Sequence, residues 1–208
     1  PASAERRLPE IFSFPALIKG VYKDTYGNIY ISFYNHRNIY KYYFHQSRWE
    51  TLNADSSNSK QFFPLTSFIA GTSAEGLNKG EYFINDDGKQ LAILNKEKGI
   101  FTSLPLFTER LHQRFIDITA DRNGQLWMAS EKYVFRIDPN HLPLKAIEIQ
   151  GISRLIGSGK VNRIISSGDD MWITTNSGLI HYSIKTNNVE FFDSGDGLIE
   201  ESFGYAIR

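Results

Sequence analysis

Asp121-Arg122-Asn123-Gly124-Gln125-Leu126-Trp127-Met128-Ala129-Ser130, followed by Tyr133-Val134-Phe135-Arg136-Ile137-Asp138, spells one turn between two strands. Asp and Asn bond their own backbone two residues on, and Gly reaches positive φ without strain, so the first four residues reverse the chain. An apolar segment, Phe115 to Thr119, leads into this turn. After it, Val134, Arg136 and Asp138 alternate with Phe135 and Ile137, the two-residue period of a strand.

The same unit recurs along the chain. Asp24-Thr25-Tyr26-Gly27-Asn28-Ile29-Tyr30-Ile31-Ser32 precedes Asn38-Ile39-Tyr40-Lys41-Tyr42, and Gly168-Asp169-Asp170-Met171-Trp172-Ile173-Thr174-Thr175 precedes Gly178-Leu179-Ile180-His181-Tyr182. A more worn copy reads Gly80-Glu81-Tyr82-Phe83-Ile84-Asn85, then Gln90-Leu91-Ala92-Ile93-Leu94. Aligning Tyr30, Phe83, Trp127 and Trp172 gives spacings of 53, 44 and 45 residues, room for four strands and four turns. A single copy would be ordinary hairpin vocabulary. Four copies in register favour an all-β propeller of about four blades, each a four-stranded antiparallel sheet, over a β-sandwich or another β-solenoid. The fourth strands are expected at Lys145 to Gln150 and Val189 to Phe192.

The repeat divides the chain into residues 16–60, 61–104, 105–150 and 151–193 as blades one to four. Residues 1–15 read as the tail of a preceding blade or a linker, and 194–208 as the start of a following blade. A fan that stops at four blades leaves apolar faces and sheet edges uncovered, so the native polypeptide is expected to be longer, with remaining blades as its first partners.

Composition agrees with this reading. Forty-one per cent hydrophobic and 14% aromatic residues suffice for a packed core. Lys and Arg number 23 against 23 Asp and Glu, scattered without a basic stripe, which argues against nucleic acid. The absence of cysteine excludes a disulfide, a thiolate nucleophile and Cys-ligated zinc while leaving the redox compartment open. No apolar run approaches the roughly 20 residues of a membrane helix, so no membrane contact is expected from this segment.

The stretch Val161-Asn162-Arg163-Ile164-Ile165 through Met171-Trp172-Ile173-Thr174-Thr175-Asn176-Ser177-Gly178-Leu179-Ile180-His181-Tyr182 resembles the two-component regulator propeller repeat. That repeat runs Ile, a turn, Gly-x-Leu-Trp-Ile-Gly-Thr, two loop residues, Gly-Leu and an aromatic strand. Gly197-Leu198 with Phe203 and Ala206 is similar to the segment that opens a later blade. The chain departs at Ala129-Ser130 and Thr174-Thr175, where the family has Gly-Thr, and its second copy lacks both Trp and Gly-Leu. The resemblance implies part of a larger, commonly seven-bladed propeller in the periplasmic sensor region of a hybrid histidine kinase. Many such receptors detect oligosaccharides, and a homodimer is a further partner the reading leaves open. The motif residues chiefly build the blade, so they identify fold better than ligand.

No catalytic set can be read from the sequence, and no cofactor or metal is expected. Gly157-Ser158-Gly159-Lys160 has Val161 where a phosphate loop needs Ser or Thr, and Arg154 where its first Gly belongs; it reads as a flexible connection. His36, His45, His112, His141 and His181 lack metal-binding spacing. Asp121 to Trp127 is similar to the Asp-box of sialidases, but that motif has one residue between Asp and Gly where this chain has two. A propeller glycosidase is the enzyme alternative, and a purely protein-docking propeller the third.

In a propeller the loops joining second to third strands, and one blade to the next, open on one face. That face is expected to carry Asn35, His36 and Arg37, then Asp86 and Asp87, then Glu131, Lys132 and Tyr133, then Asn176, with Arg110, His112 and Arg114 from a connection. Asn, Asp, Arg and His bond sugar hydroxyls, and Tyr34 or Tyr133 offers a stacking ring. Of these, Asn35, His36, Arg37, Asp86, Asp87, Lys132, Tyr133 and Asn176 form the expected ligand-binding set. Solvated turn residues are the plain alternative for each.

Overall fold

The computed structural model describes residues 17–34, 38–52, 68–74, 80–85, 88–95, 100–104, 106–108, 114–141 and 143–198. The fold is an almost all-β propeller. The first sheet comprises β1 (Ile18–Lys23), β2 (Ile29–Phe33), β3 (Ile39–Tyr43) and β4 (Arg48–Leu52), and the second β5 (Phe68–Ala74), β6 (Gly80–Asn85), β7 (Leu91–Asn95) and β8 (Ile100–Leu104). In the third, β10 (Phe115–Ala120), β11 (Leu126–Ser130), β12 (Val134–Ile137) and β13 (Leu144–Glu148) follow one another. The fourth holds β14 (Val161–Ser167), β15 (Asp170–Thr175), β16 (Leu179–Ser183) and β17 (Val189–Phe192). Each meanders antiparallel, and the innermost strands β1, β5, β10 and β14 abut in turn.

Two elements depart from the repeat. A short strand, β9 (Leu106–Thr108), runs parallel to β13 on the outer edge of the third sheet, giving that sheet five strands. The fourth strand of the third blade ends at Glu148, before the expected Gln150, because Gln150 opens a helix, α1 (Gln150–Ile156). Ile152 and Ile156 from this one-face-apolar turn pack among Val134, Ile164 and Ile180, filling a wedge between the third and fourth blades.

Among the described residues most of the core lies in three interfaces between blades, with Phe33 and Tyr40 forming a smaller cluster on the first sheet. Phe83 packs on Tyr22 and Tyr30 between the first and second, and Phe115, Ile118 and Met128 meet Ala70, Tyr82 and Ile84 between the second and third. Trp127 meets Tyr182 between the third and fourth, with ring centroids 5.5 Å apart. Strand alternation produces this: in β11, Leu126 and Met128 face backward while Trp127 and Ala129 face forward, all fully buried.

Register corrects one residue of the sequence alignment. Every innermost strand has a register shift near its start, at Ile18/Gly20, Phe68/Ala70, Phe115/Asp117 and Val161/Arg163. Counting from that bulge, the forward-facing aromatics are Tyr30, Tyr82, Trp127 and Trp172, spaced 52, 45 and 45 residues apart. Phe83 points backward, where Met128 and Ile173 stand in later blades. Two adjacent aromatics in an alternating strand cannot be told apart by type, and only the partner strand shows which faces which blade.

The bulges also carry polar ties. Ser32 donates its hydroxyl to the Phe68 carbonyl at 2.6 Å, and buried Asp117 accepts from the Ile164 amide at 2.9 Å. A Cβ at Gly20 would lie 2.4 Å from the Phe68 carbonyl oxygen, so this approach between the first two blades requires glycine.

The β1–β2 and β10–β11 turns share one device. Asp24 accepts from the amides of Tyr26 and Asn28, both at 2.9 Å, and from the Tyr30 hydroxyl at 3.3 Å. Asp121 accepts from the amides of Asn123 at 2.8 Å and Gln125 at 3.1 Å, and from Trp127 Nε1 at 2.9 Å. The turn carboxylate therefore fixes both the reversal and the aromatic six residues on. The motif that is similar to an Asp-box serves as scaffold in this chain.

On the fourth sheet, the face turned from the third carries Ile165, Trp172, Leu179 and Phe192, and no further described sheet packs on it. Trp172 is only half-buried, stacked on His181 at 4.5 Å. His181 bonds Glu190 through Nδ1 at 3.0 Å and Asp170 through Nε2 at 2.9 Å. Glu190 first, then Asp170, raise its pKa above the ordinary 6.5, opposed by partial burial. A raised histidine stabilises fully below its unfolded pKa and loses that contribution as pH rises through the folded value. The melting-temperature gap between the wild type and His181→Gln is therefore expected to be larger at pH 6 than at pH 9. Both carboxylates are close to half exposed, so solvent screens the pairs and the difference stays below about 1 kcal/mol. A gap that does not shrink with pH would show that the pair of ion pairs contributes nothing.

Candidate functional site

The loop face between the third and fourth blades is built from three segments: the β11–β12 loop at 131–133, the connection at 157–160, and the β15–β16 loop at 176–178. Gly157 ends α1 at φ +52°, and the chain then passes beneath Lys132. The Lys132 ammonium donates to three successive carbonyls, those of Gly157 at 3.4 Å, Ser158 at 2.8 Å, and Gly159. Lys160 pairs with Glu131 at 3.0 Å, and its amide donates to Asn176 Oδ1 at 2.6 Å. Asn176 returns its own amide to the Lys160 carbonyl at 3.0 Å. Gly159 is hemmed in, since a Cβ there would fall 2.6 Å from Ser177 Oγ. The stretch expected to be a flexible connection is thus hydrogen-bonded to both neighbouring blades.

Three members of the expected ligand-binding set are described, and all three stand at this rim. Lys132 spends its donors inside the chain, so it shapes the connection and offers a ligand little unless those carbonyls let go. Asn176 spends Oδ1 in the same way. Tyr133 is half-buried beside Phe135, with ring centroids 6.2 Å apart, and donates its amide to Ser130 Oγ at 3.0 Å. Asn35, His36, Arg37, Asp86 and Asp87 lie outside the described residues, as do Arg110 and His112. Beside them, Tyr34 is 61% exposed with Lys19 Nζ 5.2 Å from its ring centre, and Gly88, at φ +69°, accepts from the Phe115 amide at 2.6 Å. Gly88 thereby joins the second-blade loop to the start of the third blade, with the Arg114 side chain alongside.

No group of three or more His, Asp or Glu side chains able to hold a metal occurs among the described residues. No helix among them is long and apolar enough to cross a membrane. His45, His141 and His181 lie on different blades or at different ends of a blade, which brings no imidazole pair together.

No family model matches the chain, and no curated protein matches its sequence. Its fold is found among solved propellers. The extracellular domain of the hybrid two-component system BT4673 of B. thetaiotaomicron is 17% identical with a TM-score of 0.64, over 94% of this chain and 25% of that one. Virginiamycin B lyase from Staphylococcus aureus is 13% identical with a TM-score of 0.59, over 85% of this chain and 55% of the lyase. YCF48 bound to D1 peptide is 11% identical with a TM-score of 0.60, over 98% of this chain and 59% of that protein. The chain thus spans little more than half the length of these lyases and a quarter of the receptor domain. At such identities the likeness establishes the propeller, a fold shared by a two-component system's extracellular domain, a lyase and a peptide-bound protein.

Proposed function

We propose that this chain is a segment of an extracytoplasmic, periplasmic sensor propeller in a two-component receptor, detecting an oligosaccharide and signalling to a histidine kinase. The observation that carries the reading is the fourth blade. Its sequence resembles the two-component regulator repeat from Val161 to Tyr182, and its fold pairs those residues in a four-stranded blade. The match of 94% of the chain to the extracellular domain of such a receptor supports it. Remaining blades of the same receptor are the partners that would cover Trp172, Leu179 and Phe192, and a second copy of the chain is the alternative occupant of that face.

Melting curves against a panel of neutral oligosaccharides test the reading. One glycan is expected to raise Tm by a few degrees and to be recovered intact. Cleavage of the glycan would replace the sensor with an enzyme, a reading that the lyase likeness keeps in view. Silence across the panel would favour a docking propeller, the case illustrated by the peptide-bound neighbour.

A further inference from the structure

Blades diverge outward from the axis, so the gap between neighbours widens toward their outer strands. Between the third and fourth blades α1 fills the half of this wedge nearest the Lys132 rim. The other half is open. There, at the end of the sheet carrying the β10–β11 and β12–β13 turns, lies a cavity of about 320 Å³ lined by Gln125, Arg136, Asp138, His141, Lys145 and Ile147. Small-molecule sites begin at about 300 Å³.

Register explains why these residues converge. Arg136 stands opposite Trp127 on one side and Ile147 on the other, and Asp138 and Lys145 lie two residues along on the same face. Their side chains therefore point toward the fourth blade. The single acid is already occupied. Asp138 accepts from the Asn140 amide at 2.9 Å and bonds His141 Nδ1 at 2.8 Å, and these contacts, the amide foremost, hold its carboxyl below the usual range. Arg136 and Lys145, by contrast, make no side-chain hydrogen bond or ion pair among the described residues. Arg136 is half-buried, and a guanidinium removed from part of its water without a counter-ion is an anion site in waiting. Ile147, half exposed, supplies an apolar wall beside it.

We propose that this cavity binds a small ligand through an anionic group, carboxylate or phosphate, held between Arg136 and Lys145 with its carbon skeleton against Ile147. Arg136 presents the planar fork that matches either anion with two parallel bonds, and Lys145 adds a point charge from the neighbouring strand. The site lies at the opposite end of the blade from Lys132 and Asn176. It does not depend on the sensor reading.

Amide chemical-shift titrations with glucuronate, inorganic phosphate and glucose test it. Glucuronate, phosphate or both are expected to shift the amides around Gln125, Arg136 and Lys145 saturably and less strongly at high salt, while glucose does not. Which anion binds distinguishes the two chemistries. Arg136→Gln with Lys145→Gln should weaken that binding at least tenfold with the remaining spectrum preserved, whereas Lys185→Gln, which removes one positive charge from another turn just as Lys145→Gln alone does here, should leave it unchanged. No saturable shift with either anion overturns the proposal. So does binding undiminished in the double variant, or a glucose response equal to that of glucuronate. Should the double variant unfold, Lys145→Gln alone, on an exposed side chain, must still weaken binding severalfold for the site to stand.

Discussion

Trp127→Ala is expected to destabilise the chain by about 3–5 kcal/mol, the range for removing a buried large aromatic, and to lower Tm by roughly 10 °C. Trp127 is fully buried, meets Tyr182 across the interface between the third and fourth blades, and donates Nε1 to Asp121. Its loss opens a cavity in a cluster already filled by Met171, Ile173, Ile180 and Tyr182, so neither blade can collapse into the space without tilting. Trp172 occupies the same register position one blade later, yet is half-buried against His181 and Phe192. Trp172→Ala is expected to cost clearly less in this chain, about 1–2 kcal/mol, because part of the ring already stands in water. In a polypeptide that places a further blade on that face, the cost should rise toward that of Trp127. Thermal melts of both variants, in the chain and in a longer polypeptide, check the contrast. Equal costs in the chain would show that the forward face of the fourth blade is already covered.

The difference between these two tryptophans marks how far the sequence could be read. Turn chemistry and two-residue alternation are local, so the hairpins around Asp24 and Asp121 and most strands of the four sheets stand where the repeat places them. Facing is not local. In β6 the adjacent Tyr82 and Phe83 are both large and aromatic, and only the bulge at Phe68/Ala70 decides that Tyr82 looks forward. Likewise α1 interrupts the period with seven residues, a stretch too short for Ile152, Leu155 and Ile156 to establish a helical period. The fifth strand of the third sheet has three residues, too few to show any period.

The candidate site was less legible still, for a physical reason. Polar loop residues look alike whether they await a ligand or bind their own backbone, and Lys132 and Asn176 do the latter. The cavity at Arg136 has no local sequence signature because Arg136 and Lys145 sit in strands, where they read as the outward half of an alternating pattern. Their significance comes from the wedge between blades, which no sequence period encodes.

Asp121→Ala is the second change of large expected effect, about 3 kcal/mol or more. Asp121, only 6% exposed, accepts from two backbone amides and from Trp127 Nε1, and alanine would leave those three donors without it. Each buried donor left without a partner costs about 1–3 kcal/mol. Asp121→Asn separates the contributions, because its single amide oxygen can serve the turn amides while its NH2 group faces the indole N–H. The asparagine variant should therefore lose roughly half of what alanine loses. If the loss passes through the indole, combining Asp121→Asn with Trp127→Phe should cost clearly less than the sum of the two, since phenylalanine has no N–H to strand. Strict additivity would place the role of Asp121 wholly in the turn. The aromatic it reaches would then be held by the neighbouring blade alone, and the same cycle with Asp24 and Tyr30→Phe should be additive too, because the Tyr30 hydroxyl reaches Asp24 only at 3.3 Å.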